Sequence, residues 1–527
     1  MKKLVSLFLV LALALGMMSF ASAEDGWVTL RVETYDRDTP GFDVTDCWQL
    51  KYAQENFGDP NKIKLEFISY ARWTENELLV NDMAGGTAPD LCMTYNAPVQ
   101  QFINDGGLRP LDDLLNEYGP DLKAFIGEEL LSYGQSDQDG DGVKEQWFIP
   151  ARRMSVANVG NFIRKDWLEK LNMEKPTNIA ELTEYLRQAK AQNLGGENTI
   201  PFSFGIFAQD PMFNVRRITD AFVDFNQVTE EDWFALAHNP EMLPGAREGF
   251  RWLNTLYHEE LLPEGFATND DLATDTALTQ GYTGFFSQQP DQPWRDDKNY
   301  EVELEKAVPG ASWETVNPFL NESLGKHLHD VYSANGLSII IPKTTSDEAA
   351  VAAMKYLNWM AIPENMFMLQ NGIEGINYGR LTEDGIPTDV VNTENVPNDH
   401  KMHAGDICFI ANGLCFFDDV KNAAALALKF TGYEDEVRDS YVDAMTDTWT
   451  QIAFTTEVEA ATDYDATVKS KQAEFIAAVI SCDADQFDAV FDAGIEEIKT
   501  VGATEMIEGF RAAYQAGTYR GTFPGAK

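Results

Sequence analysis

Asp137-Gln138-Asp139-Gly140-Asp141-Gly142 sets three carboxylates at alternate positions ahead of a glycine. In such a loop the oxygens converge on one point, because the sixth-position glycine permits a sharp turn. The Val143 carbonyl then falls at the seventh position and Glu145 at the ninth, the ligand set of a structural Ca2+. The twelfth position is Phe148, so the ligands have to close early, at Glu145 with the Gln146 side-chain oxygen. Without a cation the four acids repel one another, and the alternative is a solvated acidic turn.

Other chemistry is sparser. The six histidines include the pairs His327/His329 and His400/His403, which lack a matching third metal ligand and read as loop residues. Neither G-x-S-x-G, a Walker loop nor G-x-G-x-x-G is present, so the sequence names no catalytic residue. Aromatic and amide side chains instead gather at expected loops and strand ends. Trp73 follows a strand end, Asp36 and Tyr95-Asn96 end two others, and Phe285 and Trp294 flank Gln288. Tyr332, Tyr378 and Trp449 lie near breaks. Pyranose rings stack on aromatic faces, and their hydroxyls need planar partners. Arg152-Arg153 and Arg216-Arg217 fit uronate carboxylates, against the alternative of surface charges in an acidic chain. For each aromatic the competing role is core packing.

These residues need a scaffold. Val28–Tyr35 and Ile63–Ile68 alternate as strands, Asp46–Phe57 has helical spacing, and Asp90–Tyr95 forms a third strand after a Glu75–Ala84 helix. Strand–helix repetition at this spacing gives a parallel sheet, with its strand C-termini along one ligand-binding edge. A second α/β region follows residue 150. It has strands near 158–163, 201–204 and 282–286, helices at 164–171 and 178–192, then a strand at 336–341 and a helix at 346–361. The last 180 residues read as mainly helical. The length of 527 residues exceeds one ordinary domain and suits two, each with its own core.

Composition closes off several classes. A net charge of −45 opposes nucleic acid and anionic lipid. The five cysteines form no CxxC, and Cys408 and Cys415 are the pair nearest in sequence. Lys2-Lys3, the apolar run 4–20 and Ala21-Ser22-Ala23 read as an export signal spanning 1–23. No cysteine near that cleavage point offers a lipid anchor, so the expected location is periplasmic or at the cell surface.

Val32–Arg37, Gly85–Leu91, Phe162–Leu171 with Pro176-Thr177, Ala353–Trp359 and Gly372–Tyr378 together resemble the extracellular solute-binding proteins of oligosaccharide ABC transporters. That family includes alginate-binding and lipoprotein-type sugar-binding members. The resemblance implies a two-lobed α/β periplasmic-binding-protein fold of type II, hinge-linked, with a helix-rich C-terminal part. It places residues 24–150 plus about 305–370 in one lobe, and 151–304 plus about 371–527 in the other. It also implies a monomer that holds sugar in the interlobe cleft and passes it to permease subunits. Sugar ligands are expected among Asp36, Trp73, Tyr95, Asn96, Arg152, Phe285, Gln288, Trp294, Tyr332, Glu374, Tyr378 and Trp449. The alginate-binding members' calcium loop maps onto Asp137, Asp139, Asp141, Val143, Glu145 and Gln146. A peptide-binding protein and a secreted polysaccharide-degrading enzyme are the alternatives.

Overall fold

The structure, a computed structural model, describes residues 26–95, 99–138, 141–206, 210–268, 271–295, 299–391, 395–402, 404–412 and 425–526. The export signal, Asn96, Asp139, His403 and Cys415 lie outside the described residues. The chain divides into two compact units. Unit 1 takes in the chain up to Ile149 with Leu337–Leu369 and Asn398–Ile410; unit 2 holds Pro150–Gly336, Gln370–Pro397 and Ala411–Lys527.

Two segments depart from the expected division. Residues 305–336 belong to unit 2, because the strand Trp313–Thr315 pairs antiparallel with Gly160–Arg164 there. Residues 398–410 belong to unit 1, where Asp406 takes a bidentate ion pair from Arg37 at 2.5 and 2.8 Å.

In unit 1 the strands Val28–Asp36 and Ile63–Ala71 pair in parallel from Val28↔Ile63 to Asp36↔Ala71. Leu91 bridges Val32, also in parallel, and so extends the sheet as expected. The next strand, Cys92–Thr94, then pairs antiparallel with Ser338–Ile340, a mixed arrangement that alternation along one strand does not reveal. Tyr70, Leu79, Cys92, Phe102, Ile103 and Ile340 pack into one apolar cluster beside this sheet.

Unit 2 is built on a four-stranded sheet ordered Trp313–Thr315, Gly160–Arg164, Thr283–Gln288, Ile200–Phe202. The Asn178 side chain accepts from Glu181 N–H at 3.0 Å and opens the helix Ile179–Ala191. Long helices of the C-terminal part, Glu459–Ser481, Phe487–Ile498 and Thr504–Gln515, pack their apolar faces into the same core as Trp167, Phe202, Phe250 and Phe285.

That packing corrects two sequence assignments. Phe285 is fully buried, its ring 4.9 Å from Phe202 and 6.0 Å from Phe319, so no face is left for a sugar. Trp294 is also buried, edge-on to Phe162 at 5.6 Å. Phe285 lies in the buried run of the strand Thr283–Gln288 and Trp294 in the short turn Gln292–Trp294, and burial took precedence over the neighbouring glutamines. Among the described residues Cys47, Cys92 and Cys482 are free thiols. Removing a buried ring leaves a cavity as well as losing transfer energy. Phe285→Ala therefore destabilises unit 2 by about 3–5 kcal/mol, read as a lowered denaturation midpoint. A change under about 0.5 kcal/mol, the surface-residue range, contradicts the core assignment.

Candidate functional site

In unit 2 the short strand His329–Val331 pairs in parallel with Thr448–Thr450, and the register sets Asp330 opposite Trp449. Tyr332 and Gln451 follow directly, and all four line a cavity of about 300 Å³. The helix Met212–Thr219 brings Phe213, Arg216 and Arg217 to the same space, because positions three and four apart share a helix face. His238, Lys469 and Gln472 complete its polar lining.

The charges are tightly held. The Arg216 guanidinium lies 4.7 Å from the ring centroids of both Trp233 and Trp449. Its Nε sits 3.3 Å from Asp220, and its Nη1 donates to the Ala237 carbonyl at 3.0 Å. Arg217 covers the Phe213 ring at 3.8 Å and faces Asp330, also at 3.8 Å. Asp330 in turn accepts hydrogen bonds from Asn158 and, at 2.7 Å, from Gln451. Arg153 stacks over Tyr332 at 4.4 Å. Rings and planar polar groups thus alternate around one hollow, a surface suited to a polyhydroxylated ring.

Unit 1 carries a second cluster at its strand ends. Tyr35 and Tyr95 stack with centroids 6.4 Å apart, and the Arg72 guanidinium lies 4.9, 4.5 and 5.5 Å from Tyr35, Tyr95 and Trp73. The Tyr35 hydroxyl donates to the Met93 carbonyl at 3.0 Å, fixing the stack on the sheet. Trp73 is 79% exposed, an unusual position for so large an apolar surface.

The acidic loop also belongs to unit 1. The Gly142 N–H donates to Asp137 at 2.9 Å, the Val143 N–H to Asp141 at 2.7 Å, and Gly142 has φ of +89°. The Glu145 Oε2 atom is buried without a hydrogen-bond partner, a polar orphan of the kind a cation resolves. Gln146 does not fit the expected ligand set. Its amide nitrogen donates to the Leu131 and Phe148 carbonyls and its oxygen accepts from Gln135, deep in the unit. Among the described residues no group of three acids, histidines or cysteines stands ready for a metal, with Asp139 outside that set.

Comparison with known proteins gives these clusters a context. Residues 51–404, more than half the chain, match the family of bacterial extracellular solute-binding proteins. The chain belongs to that family. Over 144 residues it is 27% identical to the fructooligosaccharide ABC transporter substrate-binding protein FusA of Streptococcus pneumoniae. That match spans 23% of this chain and 25% of the relative, so only about a quarter of that relative's length is covered. Among solved structures, the alginate-binding protein AlgQ2 without calcium ion aligns with a TM-score of 0.61 at 20% identity, over 94% of this chain and 99% of that one. A solute-binding protein associated with an HMO-binding ABC transporter of Bifidobacterium longum infantis aligns at 0.64 and 17%, over 94% and 100%. An EF-hand mutant of FusA aligns at 0.60 and 15%, over 93% and 100%. The fold of the chain is that of these two-domain binding proteins. Among the described residues no helix is long and apolar enough to cross a membrane.

Of the residues expected to bind ligand, Tyr332 and Trp449 meet at the unit 2 cavity, while Trp73 and Tyr95 meet at the unit 1 strand ends. Asp36 ends the same strand as Tyr35 and accepts from the Asp38 N–H at 2.9 Å. Phe285, Trp294 and Tyr378 are buried packing residues. Arg152, Gln288 and Glu374 are exposed and line none of the cavity. Sequence reasoning missed Phe213, Asp330 and Gln451, and it weighed Arg216-Arg217 as surface charge. The alternation Asp330-Val331-Tyr332, with both polar positions on one strand face, was the available signal.

Beneath the cavity, Gln472 donates to both Glu241 oxygens at 3.1 Å and to the His238 carbonyl at 2.8 Å. Burial pushes the Glu241 carboxyl up to about 7, against the hydrogen bonds from Gln472 and Asn239. Burial likewise raises Asp220 to about 6 despite Arg216 beside it. A carboxyl raised on folding contributes stability that is complete below its ordinary range and is lost as the pH rises through the folded value. For Glu241 that loss is about 3 kcal/mol. Glu241→Gln should therefore flatten the fall in melting temperature between about pH 5 and about pH 8. An unchanged pH slope in the variant contradicts this.

Proposed function

We propose that this chain is the exported substrate-binding component of an ABC importer, one that captures an oligosaccharide and passes it chemically unaltered to the permease subunits. The observation that carries the reading is the unit 2 cavity, where Trp449, Tyr332 and Phe213 stand among Arg–Asp couples and carboxamides. Its volume lies at the lower end of small-molecule sites, about 300–1,000 Å³, which suits a short stretch of sugar. Family membership supports the transport role, and the named ligands of the relatives above, fructooligosaccharide and alginate among them, support a saccharide. The strand-end cluster of Trp73, Tyr95 and Arg72 supplies a second stacking surface. Each protein group binds and orients; none is asked to break a bond.

A structural Ca2+ in the acidic loop is part of the same reading. Asp137, Asp139, Asp141, the Val143 carbonyl and Glu145 would hold it, Gln146 being committed elsewhere. Its support is the orphaned Glu145 oxygen and the D-x-D-x-D-G spacing. The metal would neutralise the crowded carboxylates and fix the loop.

A ligand that binds only the folded protein raises its melting temperature. Screening plant and algal oligosaccharides should give such a rise, with no new reducing ends after long incubation. Tyr332→Ala, with its circular dichroism unchanged, should weaken the best ligand roughly tenfold. Turnover, or full affinity in the variant, contradicts the proposal. For the loop, a calcium chelator should lower the melting temperature and added Ca2+ restore it; a transition indifferent to both removes the metal.

A further inference from the structure

The unit 2 cavity holds balanced charge. Its lining includes three acids, Asp210, Asp220 and Asp330, and three bases, Arg216, Arg217 and Lys469, so no formal surplus of either sign awaits a ligand. Each base faces an acid, although Arg216 Nη2 and Arg217 Nε remain buried donors without a hydrogen-bond partner. Arg216 faces Asp220 at 3.3 Å, Arg217 faces Asp330 at 3.8 Å, and Lys469 pairs with Asp465 at 2.8 Å. Asp465 also sits 2.9 Å from His238 Nδ1.

Rings also cover part of each guanidinium surface. Arg216, Arg217 and Arg153 each lie over a ring that lines the cavity, namely Trp449, Phe213 and Tyr332. A carboxylate entering here would lose water and meet cations whose charge an acid already offsets, while the open Arg216 Nη2 and Arg217 Nε donors can be met by a neutral oxygen. It would also stand against Asp330, whose side chain is only 14% exposed, in a chain of net charge −45. A hydroxyl meets none of these penalties. It both donates and accepts, and the open Arg216 and Arg217 donors stand beside the Asp330 carboxylate and the Gln451 side chain.

We infer that the saccharide unit seated in the unit 2 cavity is uncharged, a hexose- or pentose-type ring rather than a uronate. This rests on the saccharide reading above and narrows it to a substrate class. The paired arginines act as hydroxyl partners and ring supports, and they do not serve as a carboxylate clamp.

The test uses homo-tetrasaccharides, in which every unit carries the same charge, so that a uronate chain cannot avoid placing a carboxylate in the cavity. Wild-type protein is titrated calorimetrically with β-1,4-linked glucose, β-1,4-linked mannose and α-1,4-linked galactose chains and with the matching glucuronate, mannuronate and galacturonate chains. The neutral member of a bound pair should bind at least about tenfold tighter, with an affinity unmoved between about 0.05 and 0.5 M salt. In Asp330→Asn the cavity gains a net positive charge, and the neutral preference should shrink. Equal or tighter uronate binding, weakened by salt, overturns the inference and leaves the saccharide reading standing. Binding of neither member of any pair counts against both. The wild-type comparison stands even where the variant folds poorly, and a folded Asp330→Asn with an unchanged ratio also overturns the inference.

Discussion

A guanidinium packed against aromatic rings and opposite a carboxylate is the interaction on which this protein's site depends. Arg216 shows it most fully, packed against both Trp233 and Trp449 and offset by Asp220. Unpaired, that charge would make the interior untenable; paired, it stiffens the wall. The arrangement recurs. Arg164, buried in the unit 2 core, pairs with Asp166 at 2.7 Å and lies 5.0 and 5.7 Å from Trp167 and Trp313. Arg72 lies among Tyr35, Tyr95 and Trp73 in unit 1. In a chain with 85 acids and 40 bases, these arginines are placed where rings shield them and a fixed geometry follows.

That geometry depends on backbone register more than on any loop. Asp330 stands opposite Trp449 because two three-residue strands pair in parallel across more than a hundred residues of chain. A slip of one residue would turn both side chains away and dismantle the Arg217 partnership. In unit 1, the parallel pairing of the first two strands likewise brings Tyr35 beside the turn that carries Arg72 and Trp73. Rigid sheet edges position the polar groups, so a ligand meets a formed surface and less ordering entropy opposes binding.

Local elements were legible where local physics decides them. Asn178 and Ser346 announced their helices because a side-chain oxygen satisfies an otherwise orphaned N–H. Alternation in 28–35 gave the first strand within one residue of its end. The candidate site was legible only in part. Tyr332 and Trp449 were found because aromatics near breaks are worth noting, but Trp449 is itself buried against Trp233 and only edges the hollow, and the same rule also selected Phe285 and Trp294, which pack inside. An aromatic's burial depends on which strands flank it, and neither composition nor period reveals that. Arg216-Arg217 were left between uronate partners and surface charge because Asp330, Trp233 and Trp449, which hold them in the cavity wall, are distant in sequence. Gln146 fitted a ligand position by spacing, yet two backbone carbonyls compete for its amide.

The central claim is that the hollow walled by Trp449, Tyr332 and Asp330 receives an intact sugar. A crystal structure grown with the tightest-binding oligosaccharide tests it most directly. The account predicts an unbroken saccharide with one ring against those residues and its hydroxyls shared between Arg217 and Asp330. A cleaved product, or a sugar bound elsewhere with this hollow unaltered, would contradict it.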